Sequence, residues 1–299
     1  MYNADRKTRW IEKKDAEVIS SLKYYETKMN NVAPYEMELG KDLCEFTKSE
    51  IVDMYKSMNT YSPSTIYINN RIYLEYTDWC ITEGLVPDSQ NHFSEITRDM
   101  CNEYVNRTAF DKRIVTREEI ADWCKACWND ADRYLLLGLF EGIKGNRFID
   151  FTDTEVDDIE NNVIHLASGR TLDFSEELIS YAYKSAEETV WTSYTSEWDL
   201  PLANSNLILK PTERSRKTET INLTRAILKR SKIIFSFLGV GDYMSMNAVR
   251  ISGMIDYINI NASRLGMSAQ DYIKIYQSRI EERYMPINGF YNKYKDYLV

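Results

Sequence analysis

The sequence predicts a mainly α-helical protein with one small antiparallel β-sheet, divided into two domains. Three observations predict it. The chain has 299 residues, more than one small core requires. Apolar residues recur at helical spacing along most of it, repeatedly behind a helix-start signal. Only the stretch 155–174 carries the turn-flanked pattern of short paired strands.

The elements follow in order. Residues 6–29 are polar and charged, with apolar positions at Trp10, Ile11, Val18, Ile19 and Leu22, as a surface helix requires. Thr47-Lys48-Ser49-Glu50 has capping-box spacing and opens a helix through Met58. Ser62-Pro63 couples a good N-cap to a proline suited to the first turn; the helix it starts runs to about Thr82 and stops at Gly84. Spacings of four, four and three give it an apolar face of Ile68, Ile72, Tyr76 and Trp79. Tyr67, Asn70 and Arg71 sit on a different face. A further helix fits 97–107, and 108–115 reads as a linker. Thr116-Arg117-Glu118-Glu119 is a second capping box, followed by helices to about Trp128 and over Asp130–Phe140. Gly142 and Gly145 bracket a turn. Asn161-Asn162 and Ser168-Gly169 flank the strand Val163–Leu166. Helices follow near 175–186, 222–237, 245–260, 268–283 and 290–298. The domains expected are 1–107, helical, and 116–299, mostly helical with the sheet.

Composition excludes several functions. No run of 18 apolar residues exists, so no spanning helix is expected, and the first residues lack the apolar core of a secretory signal. Five cysteines suit reduced thiols in a cytoplasm better than a disulfide framework. Two histidines, His92 and His165, are too few for a His-rich metal site, and neither metal nor cofactor is implied. Cys124-x-x-Cys127 has no second pair at finger spacing, and a buried structural role suits it better. The net charge of −9 argues against nucleic acid, but the charge is unevenly spread. Residues 141–200 hold four basic and fourteen acidic residues, whereas 201–299 hold fifteen basic and eight acidic. Lys210, Arg214, Arg216, Lys217, Arg225, Lys229, Arg230 and Lys232 concentrate in one stretch, as either a solvated surface or an anion-binding face.

The segment Ile114 to Leu166 resembles the start of the catalytic domain of tyrosine recombinases, the phage integrase family. The residues carrying the likeness are Ile-Val-Thr-Arg-Glu-Glu-Ile at 114–120, Tyr-Leu-Leu-Leu-Gly-Leu-Phe-Glu-Gly-Ile-Lys-Gly-Asn-Arg-Phe at 134–148, then Asp-Phe-Thr and a hairpin. Asn247-Ala248-Val249-Arg250 resembles the family's His-x-Leu-Arg box, and Tyr284 lies where its nucleophile would. The helix from Ser62 looks like the family's core-binding helix. The likeness covers roughly 45–285 and implies a helical SAM-like core-binding domain followed by a recombinase catalytic-like domain.

The departures from the family pattern matter more. Its first arginine falls on Lys144, its glutamate on Arg147, its box histidine on Asn247 and its hairpin lysine near Arg170; Ile275 takes the place of its second histidine or tryptophan. Strand cleavage needs two guanidinium forks on the phosphate oxygens and groups that pass protons. Lysine copies the charge but not the fork, and asparagine and isoleucine carry no titratable proton. Duplex binding needs only phosphate neutralisation and groove contacts. The pattern is similar to the integrase-like master repressors of SPbeta-type Bacillus phages, and implies no enzyme but a cytoplasmic, sequence-specific DNA-binding repressor that maintains lysogeny.

Its expected partner is double-stranded operator DNA, with no membrane; exchange of a C-terminal helix, a recombinase habit, would allow self-association on DNA. Candidate contacts are Tyr67, Asn70 and Arg71 in the first domain and Lys144, Arg147, Arg170, Arg214, Arg216, Lys217, Asn247 and Arg250 in the second. Tyr284 is either a relic nucleophile or a packing residue. Two alternatives stand beside this reading: an atypical active recombinase using Tyr284, and a protein-interaction module suited to the acidic charge.

Overall fold

A computed structural model describes residues 1–14, 19–58, 60, 62–86, 90–144, 148–195, 199–213 and 220–299. The chain forms two compact units, Met1–Asp111 and Lys112–Val299.

The first unit is helical: α1 (Ala4–Glu12), α2 (Ile19–Leu39), α3 (Lys48–Ser57), α4 (Pro63–Thr82) and α5 (Arg107–Asp111), with single 3-10 turns at Leu43–Glu45, His92–Glu95 and Met100–Asn102. The capping box forms as spaced. The Glu50 N–H donates to the Thr47 hydroxyl, and the Thr47 N–H donates to the Glu50 carboxylate at 2.7 Å. Ser62 caps α4 with Pro63 in its first turn. Trp10, Ile51, Tyr55, Ile66, Tyr73, Tyr76 and Cys80 fill the core. Two carboxylates are buried with them, each satisfied. Glu36 pairs with buried Lys7, and Asp42 accepts from the Tyr76 hydroxyl at 3.0 Å and from the Asn3 amide at 2.8 Å.

The second unit runs α6 (Arg117–Ala126), α7 (Asp130–Glu141), α8 (Ile149–Thr152), β1 (Ile159–Glu160), β2 (Val163–His165), β3 (Thr171–Asp173), α9 (Glu176–Glu187), β4 (Val190–Trp191), β5 (Leu200–Pro201), α10 (Thr220–Phe237), α11 (Met246–Arg264), α12 (Ala269–Ile275), α13 (Gln277–Arg283) and α14 (Phe290–Tyr294), closing on a 3-10 turn at Lys295–Tyr297. Strands β1, β2 and β3 form an antiparallel meander in which Ile164 pairs with Leu172, and both side chains enter the core. α7 is the central element. Its Leu135, Leu136, Leu139 and Phe140 are fully enclosed, each contributing about 1.5–3 kcal/mol of burial. α11 crosses it at Gly253, where a Cβ would stand only 1.7 Å from the Phe140 carbonyl oxygen. Only glycine permits that approach.

Several expectations need correction. Ile68 is 49% exposed; the inward face of α4 is Ile66, Asn69, Asn70, Tyr73, Tyr76, Thr77 and Cys80, with Ile72 at its edge. Hydropathy misplaces that face because two asparagines lie inside it. No α-helix spans 97–107, where the backbone makes a 3-10 turn and bends. The 108–115 stretch is not bare linker, since α5 ends within it. A second sheet, β4 with β5, stands beside the one expected. The 268–283 helix breaks at Tyr276 into α12 and α13. Cys124 and Cys127 are buried; burial pushes both thiols up, Cys127 to about 11, so both stay protonated and inert.

Candidate nucleic-acid interface

Four elements of the second unit converge on an open hollow lined by Lys144, Arg170, Arg250 and Tyr284, with Ser168 and Phe148 beside them. Local sequence explains each arrival. α7 ends on Gly142 at φ 103°, and the Ile143 N–H turns back to the Gly138 carbonyl at 2.7 Å, which leaves Lys144 at the mouth. A side chain at Gly142 would collide with Arg283, so the glycine also admits the end of α13. The β2–β3 hairpin closes through Gly169 at φ 84° and presents Arg170. Ser245 caps α11, whose first turns carry Asn247 and Arg250 on one face. The end of α13 supplies Tyr284.

The cations differ in what they already hold. Arg170 donates to the carbonyls of Gly142, Glu282 and Arg283 at 3.3, 3.0 and 2.8 Å, to the Ser168 hydroxyl at 3.1 Å, and to the buried carboxylate of Asp150. It clasps the hairpin to the end of α13, and little of its donor capacity remains. Arg250 is only 8% exposed. It donates to the Asn247 side-chain oxygen at 2.8 Å and, at 3.5 Å, to the Tyr284 carbonyl, while its Nε is buried without a partner. Lys144 lies over the Phe148 ring. Among the described residues no carboxylate pairs with Lys144 or Arg250. Burial, and then repulsion from Arg170, lowers the pKa of Arg250; burial, and then Arg250, lowers that of Lys144. An anion entering the hollow would relieve both. Glu281 and Glu282 stand on its rim. Glu281 is occupied by the Gln277 amide at 2.9 Å and the Ile287 N–H at 3.1 Å.

Tyr284 is 6% exposed, and its hydroxyl donates to the Phe140 carbonyl at 3.0 Å. Burial raises its pKa. In this arrangement the phenol is locked to the backbone of α7, not offered as a nucleophile. Ile275 ends α12 in an exposed position outside the hollow.

The remaining candidates scatter. Asn70 is 1% exposed, accepts from the Tyr55 hydroxyl at 3.0 Å and donates to the Phe93 carbonyl at 3.0 Å, so it belongs to the core and is removed from the contact face. Tyr67 is half-buried with Arg98 over its ring, and Arg71 is exposed. Arg147, Arg214, Arg216 and Lys217 lie outside the described residues. Sequence reasoning missed Asp150, which holds Arg170. It also missed Arg283, which donates to the Glu141 carbonyl at 2.9 Å and to Asp173, between the rings of Phe174 and Tyr257. Asp150 stands in the quoted Asp-Phe-Thr, so its place was visible, but its partner was not.

Comparison with known proteins agrees with this architecture. The family model for the MrpR N-terminal core-binding domain matches residues 1–83, and that for the MrpR C-terminal catalytic domain matches residues 114–288. The SPbeta prophage-derived protein YopR of Bacillus subtilis (strain 168) is 22% identical over 199 residues, which span 63% of this chain and 59% of YopR. A crystal structure of XerA recombinase aligns over 98% of both chains at 11% identity, with a TM-score of 0.37, a level that does not itself establish a common fold.

Proposed function

This chain belongs to the MrpR family, whose core-binding and catalytic domains are integrase-like, and from that premise we propose that it is a DNA-binding repressor that has kept the grip of a recombinase and lost its cut. The supporting observation is the hollow itself. Lys144 and Arg250 face one opening without carboxylate partners among the described residues, while the hydroxyl of Tyr284 is spent on the Phe140 carbonyl. A phosphate between the two cations would restore the charge balance that burial has upset. Asn247, hydrogen-bonded to Arg250, carries no titratable proton where the family's box histidine would stand, and the Tyr284 hydroxyl is not free to attack. The likeness to a prophage-derived protein suits a phage setting, with silencing of lytic genes as the task.

The test is a map of the chain's occupancy on the genome that encodes it, followed by binding to the recovered duplexes at several salt concentrations. Repeated short sites upstream of genes, with affinity falling steeply as salt rises, is the expected result. No binding to any recovered duplex at low salt would sink the proposal and leave a protein-interaction module.

A further inference from the structure

The geometry points to a second ligand site in the catalytic-type unit, away from the cationic hollow: a half-open pocket for a small apolar carboxylate. The pocket lies between α10, the β4–β5 sheet and α8, opens to solvent on one side, and offers about 250 Å³. That approaches the roughly 300 Å³ at which ordinary ligand pockets begin. Its walls are largely apolar, and Phe151, Trp191, Leu209 and Ile227 form a buried floor. Such walls offer nothing to a bare phosphate, and they favour a ring or short chain.

The polar part of the lining has one sign. Lys210, Lys229 and Arg230 line the pocket, and among the described residues no Asp or Glu does. These three belong to the basic stretch of the sequence but are not among its candidate DNA contacts. Arg230 is the centre of the case. Its Nε is bound by Asp132, a carboxylate with no solvent exposure that also accepts from the Trp191 indole at 3.1 Å and the Tyr194 hydroxyl at 2.8 Å. The guanidinium is therefore fixed in place before any ligand arrives. Its Nη2 is buried and has no hydrogen-bond partner. A buried donor of this kind calls for an acceptor, and a charged one best of all. A carboxylate among Lys210, Lys229 and Arg230, with an apolar body along Phe151 and Ile227, matches both halves of the lining. The same wall continues into the scaffold of the hollow, since Phe151 and Thr152 directly follow Asp150, the carboxylate that holds Arg170.

The experiment is calorimetric titration of the full chain with 1-naphthoate and with its neutral counterpart 1-naphthamide. The expected result is saturable uptake of one naphthoate per chain, on the order of tenfold tighter than naphthamide, the worth of one charge-assisted hydrogen bond. Ala226→Trp, at an exposed position on the pocket lip, should abolish uptake while the melting temperature stays close to that of the parent. Lys229→Glu, also exposed, should erase the preference for the acid over the amide. Absence of saturable binding, equal affinity for acid and amide in the parent chain, or uptake undiminished by Ala226→Trp would each overturn the assignment.

Discussion

Arg170 and Arg250 line the same hollow and do opposite work. Arg170 gives its donors to one carboxylate, three backbone carbonyls and a hydroxyl. Arg250 has one side-chain acceptor, one long contact and a buried Nε with nothing to bind. The first is a neutralised clasp that holds the chain; the second is a cation kept in a place that disfavours its charge. The difference teaches that a basic residue at a recombinase-like position is not thereby a DNA contact. What decides is whether the fold has already supplied its anion.

That contrast can be broken in several places. The largest effect belongs to the clasp. Arg170→Ala leaves Asp150 buried and unpaired, and should cost about 3–5 kcal/mol of stability, read as a lower urea midpoint. A loss below about 1 kcal/mol would mean that Arg170 is not the clasp described. Arg250→Ala should reverse the balance: an affinity loss for duplex DNA on the order of 1–3 kcal/mol by titration, with little change in the urea midpoint. Equal losses of affinity and stability would erase the distinction between the two arginines.

Tyr284→Phe comes next. It removes the hydroxyl bond to Phe140 and should cost about 0.5–1.5 kcal/mol in stability while leaving DNA affinity unchanged. Lys144→Met is the smallest change. It should lower the salt dependence of binding by about one counterion with a modest loss of affinity. Lys144 also sets a pH signature. Its pKa in the free protein lies below the ordinary 10.5, and a bound phosphate raises it. The complex then holds its proton more tightly than the free chain does. The contribution to binding is full at neutral pH and fades as pH climbs through the two values, and Lys144→Met should abolish that alkaline decline.

Much of the fold was legible because local chemistry writes it. Thr47 with Glu50, Thr116 with Glu119 and Ser62 with Pro63 start helices where their spacing says. The hairpin turns where Asn161 and Gly169 allow positive φ. The convergence of Lys144, Arg170, Asn247 and Arg250 was readable only through resemblance, since 106 residues separate the first from the last in sequence. What stayed hidden depends on partners distant in the chain. Asn70 looks like a surface residue until Tyr55 and Phe93 claim it. Arg170 looks like a DNA contact until Asp150 appears from 20 residues away. Asp132 gathers Trp191 and Tyr194 from one distant segment and Arg230 from another, and no spacing rule announces that.

The central claim is that the hollow holds a phosphate without cutting beside it. The most direct measurement incubates the chain with a nicked duplex carrying its own recovered binding sequence and resolves the products under native and denaturing conditions. The account predicts a retarded native complex that falls apart completely on denaturation. A protein–DNA adduct that survives denaturation and vanishes in Tyr284→Phe would contradict it.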